Sequence, residues 1–258
     1  MKAVWPRGLL VSVRDPEEAA VAVAAGAAVI DIKEPRNGPL GRAAVEIVVA
    51  VAAVTGRRAP LTLACGELST GDEIPGHVAD LLRCLPPDVP VPMAVKAGPA
   101  GLALPAWRMA FGRLRESLPP GIEVVAVAYA DWRRAESPPP DALLNEAIRV
   151  GATAILVDTF DKQGPGLFAT IPRRVVAAWS QAASAAGLTL ALAGRLTAAD
   201  VAEAFALGAP IVGVRSAACD GGRGGRIAAP RVRLLARLRS LEIVSPESDP
   251  PLSSPLSR

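Results

Sequence analysis

Short apolar runs alternate with amphipathic stretches from near the start of the chain to about residue 240. The first run is Leu9-Leu10-Val11-Ser12-Val13. Asp15-Pro16-Glu17-Glu18 then carries the chemistry of a helix start, a capping carboxylate followed by proline at the first helical position, and Gly26 closes that helix. A second run, Ala28 to Lys33, passes through a loop with Pro35, Asn37 and Gly38 into a helix over 42–55. The pattern recurs as Pro60–Cys65 with a helix near 74–84, Val91–Lys96 with 104–117, and Ile122–Tyr129 with 141–150. It continues as Ala154–Asp158 with 170–186, Leu188–Ala193 with 198–207, and Ile211–Arg215 with 230–240.

Eight strand–helix units follow one another without a domain break. Continuous apolar strands alternating with helices predict a parallel sheet covered on both faces. Eight such units in about 235 residues predict a closed (β/α)8 TIM barrel rather than an open doubly wound sheet. Ala25-Gly26-Ala27, Val150-Gly151-Ala152 and Leu207-Gly208-Ala209 mark helix ends that lead back into strands. The catalytic domain is therefore expected over 1–240. The segment 241–258 is rich in Pro and Ser and lacks periodicity, and is expected to be a disordered or loosely attached tail.

Composition narrows the function. Apolar residues make up 51% of the 258, mostly Ala and Val, and aromatics only 3%, which leaves no stacking platform for nucleic acid. The formal charge of +3 is scattered along predicted helices and loops, as a solvated surface would be. No apolar run approaches the roughly 18 residues of a membrane span. The first residues lack a signal peptide's apolar run and cleavage site, so a cytoplasmic protein is expected. Three cysteines and one histidine (His77) lack metal-ligand spacing, and no zinc site is expected. No helix shows an apolar outer stripe that would name a homo-oligomer interface.

Of 28 basic residues only four are lysine: Lys2, Lys33, Lys96 and Lys162. Arginine supplies charge elsewhere, so the retained lysines point to a need for an amine that can lose its proton. Lys33 ends the second run, Lys96 the fourth, and Lys162 lies just beyond the sixth. Catalytic groups of a barrel sit at the C-terminal ends of its strands. Asp31 shares a strand face with Lys33, and Asp158 precedes Lys162 by four residues. Two carboxylates and three amines would then converge in one pocket. That set suits imine chemistry: Lys96 would keep Lys33 neutral or bind a phosphate, Asp31 would orient Lys33, and the carboxylates would move protons. The competing reading is a set of ion pairs filling the barrel.

A second constellation is glycine-rich. Ala193-Gly194-Arg195 follows the seventh run; Gly213-Val214-Arg215-Ser216 and then Asp220-Gly221-Gly222-Arg223-Gly224-Gly225-Arg226 follow the eighth. Loops in these places form the phosphate cradle common in this fold. Gly194, Gly213, Arg215 and Ser216 are the expected phosphate-binding residues, with Arg215 neutralising the anion. Tyr129 and Asp131 border the same rim. His77 is expected on a helix surface, and Cys65 as a small core residue.

These motifs resemble the (5-formylfuran-3-yl)methyl phosphate synthase family of methanofuran biosynthesis. The resemblance is carried by Val29-Ile30-Asp31-Ile32-Lys33-Glu34-Pro35 with Gly38-Pro39-Leu40-Gly41, Val95-Lys96-Ala97-Gly98 and Tyr129-Ala130-Asp131. Leu156-Val157-Asp158-Thr159 with Lys162, Ala191-Leu192-Ala193-Gly194 and Val212-Gly213-Val214-Arg215 add to it, in order over about 8–240. The resemblance implies that two molecules of glyceraldehyde 3-phosphate condense, losing one phosphate and water, to a furan bearing an aldehyde and a phosphomethyl group. It implies that Lys33 forms the Schiff base, that Asp31, Lys96, Asp158 and Lys162 complete the site, and that no cofactor is needed. It also implies a role in making a methanofuran-like carrier of one-carbon units. The segment Gly66 to Asp72 follows the family pattern less closely. Two other readings remain at this point. One is another Schiff-base aldolase or isomerase of small phosphorylated sugars, which would make no conjugated furan aldehyde. The other is a non-catalytic phosphometabolite-binding barrel, which would bind ligand without an imine.

Overall fold

The computed structural model describes residues 4–70 and 73–239. Eight parallel strands close into a barrel in sequence order: β1 (Gly8–Val13), β2 (Val29–Ile32), β3 (Leu61–Glu67), β4 (Ala94–Gly98), β5 (Glu123–Tyr129), β6 (Ala154–Asp158), β7 (Thr189–Leu192) and β8 (Ile211–Val214). β8 returns to pair with β1, Val11 facing Val214. The outer layer comprises α1 (Pro16–Ala24), α2 (Val45–Thr55), α3 (Glu73–Cys84), α4 (Leu104–Ser117), α5 (Pro140–Arg149), α6 (Leu167–Thr170), α7 (Arg173–Ala185), α8 (Ala198–Ala206) and α9 (Ala229–Arg237). Among the described residues, no helix is long and apolar enough to cross a membrane. The expected tail, 241–258, lies outside the described residues, as do Lys2 and the 71–72 pair.

Alternation along each strand divides two apolar layers. Leu9, Val11, Val13, Ile30, Ile32, Leu61 and Leu63 face the helices. Leu10, Val29, Ala64, Ala94, Val125, Val127, Ala154, Leu156, Ala191 and Ile211 fill the barrel. Each large aliphatic side chain so buried stabilises the fold by about 2 kcal/mol. The inner layer is rich in alanine, and that thin packing leaves room for longer polar chains above it.

The expected elements are present, with three differences that matter. The helix expected near 170–186 is two helices, because Pro172 forces Ile171 into an extended conformation (φ −118°, ψ 127°). β4 starts later and runs further than expected: Pro90 and Pro92 delay it, and it continues past Lys96 to Gly98. Lys96 therefore projects from within the strand, below the rim. β3 also runs past Cys65 to Glu67, which pairs with Gly98 after an irregularity in register. That extension brings an unforeseen carboxylate to the rim.

Candidate active site

The C-terminal end of the barrel gathers the polar side chains. The nine residues singled out in the sequence (Asp31, Lys33, Lys96, Asp158, Lys162, Gly194, Gly213, Arg215 and Ser216) all border one cavity of about 40 Å³. Its floor is the Asp31–Lys96 ion pair, both side chains almost wholly buried. Asp31 also accepts hydrogen bonds from Ser12 Oγ at 2.9 Å and Thr62 Oγ1 at 2.8 Å. The expectation was that Asp31 would serve Lys33 and that Lys96 would be the free cation beside it. The register instead sets Asp31 opposite Thr62, next to β4, and Lys96 reaches down to that carboxylate.

The second pair lies at the rim. Lys162 Nζ is 2.6 Å from Asp158 Oδ1, which also accepts the Thr159 amide at 2.7 Å. Burial would raise the Asp158 carboxyl, but Lys162 and Lys33 outweigh it and hold the group below its usual range. Burial holds the Lys162 ammonium below its ordinary value, against the pull of Asp158. Asp131 positions this loop by accepting the amides of Phe160 at 2.6 Å and Asp161 at 2.8 Å.

Lys33 stands between the two pairs, 6% exposed, and makes no ion pair within 4.0 Å among the described residues. Its amide is anchored to Val13 O at 3.1 Å. Burial and then the Lys162 charge push its ammonium down to about 7 from an ordinary 10.5, against the opposing pull of Asp158 and Asp31. The neighbour that keeps Lys33 neutral is therefore Lys162, where Lys96 was expected. A primary amine half-deprotonated near neutrality is a nucleophile toward a carbonyl.

The glycine-rich side is partly as expected. Gly194 (φ 107°) sits where a Cβ would lie 3.0 Å from Thr159 Cγ2 and 3.1 Å from its amide nitrogen. Gly213 allows a close approach of Ala193 and Leu10. Ser216 starts a short turn at the cavity edge. Arg215 does not fit the expected role. Its five N–H groups are all engaged: Nε with Arg223 O (3.0 Å), Nη1 with Ser12 O (2.9 Å) and Glu18 Oε2 (2.8 Å), Nη2 with Glu18 Oε1 (3.2 Å) and Gly225 O (3.2 Å). A guanidinium so saturated fixes the loop and has no donor left for a phosphate. Arg14 joins it, bonding Glu18, Gly224 O and Gly225 O. The glycine run itself forms a small ribbon, β9 (Cys219–Asp220) against β10 (Arg226–Ile227), and delivers Arg223 to the cavity. Arg223 is half-buried, and among the described residues its guanidinium makes one long hydrogen bond, 3.4 Å to Gly38 O.

Sequence reasoning missed Glu67. Its Oε1 accepts from Tyr129 Oη at 2.7 Å and its Oε2 from the Ala100 amide at 3.0 Å. Burial raises its carboxyl above the usual range, and burial and Glu67 together hold the Tyr129 phenol well above its own. Gly98 permits the cluster, since a Cβ there would collide with both the Glu67 carboxylate and the Tyr129 hydroxyl. Alternation gave no signal for Glu67: it lies two residues beyond Cys65, on the helix-facing side by alternation, and a register irregularity between Ala64 and Glu67 intervenes. Cys65 is a core residue whose thiol burial pushes up to about 12. His77 is half-buried on α3, with its Nε2 lacking a hydrogen-bond partner.

Fold and site together define a (β/α)8 barrel with a desolvated lysine flanked by two lysine–carboxylate pairs and a glycine-rich rim. A family model described as 4-HFC-P synthase matches residues 9–236. The chain belongs to that family, and it is an enzyme of the (5-formylfuran-3-yl)methyl phosphate synthase type. The (5-formylfuran-3-yl)methyl phosphate synthase of Methanopyrus kandleri is 34% identical over 238 residues, 88% of this chain and 97% of that one. The Methanosarcina mazei enzyme of the same name is 30% identical over 219 residues, 83% of this chain and 92% of that one. Among solved structures, thiamine phosphate pyrophosphorylase from Pyrococcus furiosus superposes with a TM-score of 0.59 at 14% identity, covering 90% of this chain and 95% of that one, a likeness of fold alone.

Proposed function

We propose that the enzyme condenses two molecules of glyceraldehyde 3-phosphate through a Lys33 Schiff base to (5-formylfuran-3-yl)methyl phosphate, a precursor of methanofuran or an analogue. The observation that carries this reading is the state of Lys33: buried, without an ion-pair partner among the described residues, and lowered to about 7.

The neutral amine attacks the aldehyde carbon, and the resulting carbinolamine loses water to give the imine. Asp158 and Lys162, hydrogen-bonded to each other, carry the proton to the departing hydroxyl. Loss of a proton from the adjacent carbon gives an enamine. That carbon attacks the carbonyl of the second aldehyde, forming the new C–C bond. A hydroxyl oxygen of the second triose then closes the ring on the imine carbon and expels the Lys33 amine, and loss of one phosphate and of water completes the furan. In total, two triose phosphates lose one phosphate and two waters. The Asp31–Lys96 pair underlies Lys33 as a fixed electrostatic floor, and the backbone around Gly194, Gly213 and Ser216 accepts a substrate phosphate.

The test is incubation with glyceraldehyde 3-phosphate and borohydride, followed by intact mass and peptide mapping. A reduced adduct on Lys33, and a furan aldehyde absorbance when borohydride is omitted, are expected. Phosphate ligands that bind without any adduct would remove the lysine mechanism.

A further inference from the structure

The cavity around Lys33 measures about 40 Å³, room for a few waters or the carbonyl end of a substrate. Directly outside it lies an open groove of about 580 Å³. The groove is bounded by the β2–α2 loop at Pro35 to Pro39, the β6–α6 loop at Phe160 to Gln163, Arg134 and Arg223. Groove and cavity adjoin, sharing two lining residues, Lys162 and Arg223.

The charge of the groove is one-sided. Arg36, Arg134, Lys162 and Arg223 line it against a single carboxylate, Asp161. Arg134 is engaged with that carboxylate at 3.2 Å. The Arg36 guanidinium makes no hydrogen bond or ion pair among the described residues, and Arg223 makes only its long bond to Gly38 O. Two guanidinium forks with free donors suit a phosphate dianion. Phe160 and Pro39 give the groove apolar wall for a short carbon chain.

The loop that carries Arg36 is built to hold its place. Glu34 caps it by accepting the Arg36 amide at 2.9 Å, and its own amide bonds Gly41 O at 2.9 Å. Gly41 is required there, because a Cβ would overlap Glu34 O. The Gly66 amide ties the far end to Leu40 O at 2.8 Å.

We propose that this groove is a second phosphate-binding site, where Arg36 and Arg223 hold the phosphate of the second aldehyde while its carbonyl end enters the chamber past Lys162. The assignment of the occupant rests on the two-aldehyde reading given above; the anion site rests on the groove itself. The glycine-rich rim at Gly194, Gly213 and Ser216 would then serve the aldehyde bound to Lys33.

The experiment uses the full chain and its Arg36→Gln variant. Glycerol 3-phosphate, which has no carbonyl, is titrated into each by calorimetry. Two phosphomonoesters per chain are expected for the unaltered enzyme and one for the variant. With glyceraldehyde 3-phosphate, the variant is expected to need about tenfold more substrate for half-maximal turnover, the loss of one charged hydrogen-bonding group. The yield of borohydride-trapped Lys33 adduct should stay the same. Unchanged stoichiometry, or adduct yield falling in step with turnover, would overturn the second site. If no Lys33 adduct forms in either protein but the stoichiometry still drops from two to one, the imine reading fails and the anion site stands.

Discussion

The protonation state of Lys33 is open to a directional test. With its ammonium at about 7, roughly half of the Lys33 side chains are neutral at pH 7; at the ordinary 10.5 only about three in ten thousand would be. Desolvation and neighbouring charge therefore supply about a thousandfold in nucleophile concentration. Lys162 lowers Lys33 and Asp158 raises it. Lys162→Met should move the midpoint for imine formation up by about one unit, cutting the neutral fraction at pH 7 to roughly a tenth. Asp158→Asn should move it down. The assay is the rate of cyanoborohydride-trapped adduct with glyceraldehyde 3-phosphate across pH, read as a midpoint so that lost proton transfer, which lowers the plateau, does not interfere. Midpoints that stay together, or move the same way, would refute the electrostatic account. Stability carries the same sign. Between about 7 and 10.5 the unfolded chain binds the Lys33 proton and the folded one does not, so stability rises with pH through that window. The penalty is full below pH 7. Lys33→Met should therefore stabilise the protein there by on the order of 3–5 kcal/mol and flatten the dependence, visible as a raised melting temperature at pH 6 and little change at pH 10.

Arg215→Met should cost about 3–5 kcal/mol in urea unfolding, because it leaves the buried Glu18 with Arg14 alone, while changing glycerol 3-phosphate affinity less than Arg36→Gln does. Tyr129→Phe removes the donor to Glu67 Oε1 and should cost about 1–3 kcal/mol, a fall of roughly 2–12 °C in melting temperature for a domain of this size. Gly98→Ala should do more, since its methyl must displace both Glu67 and Tyr129; a variant as stable as the parent would show that the cluster is slack. Gly194→Ala places a side chain at φ 107° against Thr159 and should slow turnover at least tenfold by shifting the Lys162 loop, as judged by steady-state furan formation.

The barrel was legible because each strand is apolar on both faces and each helix has its own start or stop chemistry. Asp15 caps α1 as read, accepting the Glu18 amide at 2.8 Å. The nine cavity residues were equally legible: scarce lysine marked three, the carboxylates spaced near them two more, and the glycine-rich segments at the ends of β7 and β8 the other four. Their pairing was not. Spacing along β2 placed Asp31 beside Lys33, but the stagger between β2, β3 and β4 gave Asp31 to Lys96, and stagger is a property of neighbouring strands rather than of either one alone. The arginines of the glycine run were unreadable for a similar reason. Arg215 turns toward α1 because Glu18 is waiting there, and Arg223 faces the cavity because the β9–β10 ribbon folds the run back. Glu67 was hidden by an irregularity in register that alternation along one strand does not reveal.

The knot of Arg14, Glu18 and Arg215 also bears on how the chain is born. Arg14 and Glu18 leave the ribosome about 200 residues before Arg215 does. Through nearly all of synthesis the first β/α unit carries a carboxylate destined for the interior with half of its cationic partners still unmade. The eighth strand closes the barrel against the first and brings the missing guanidinium with it. The nascent protein is therefore expected to stay open at the β1–β8 seam, a client for chaperones, until its last fifth emerges and sets the seam and the site in one step.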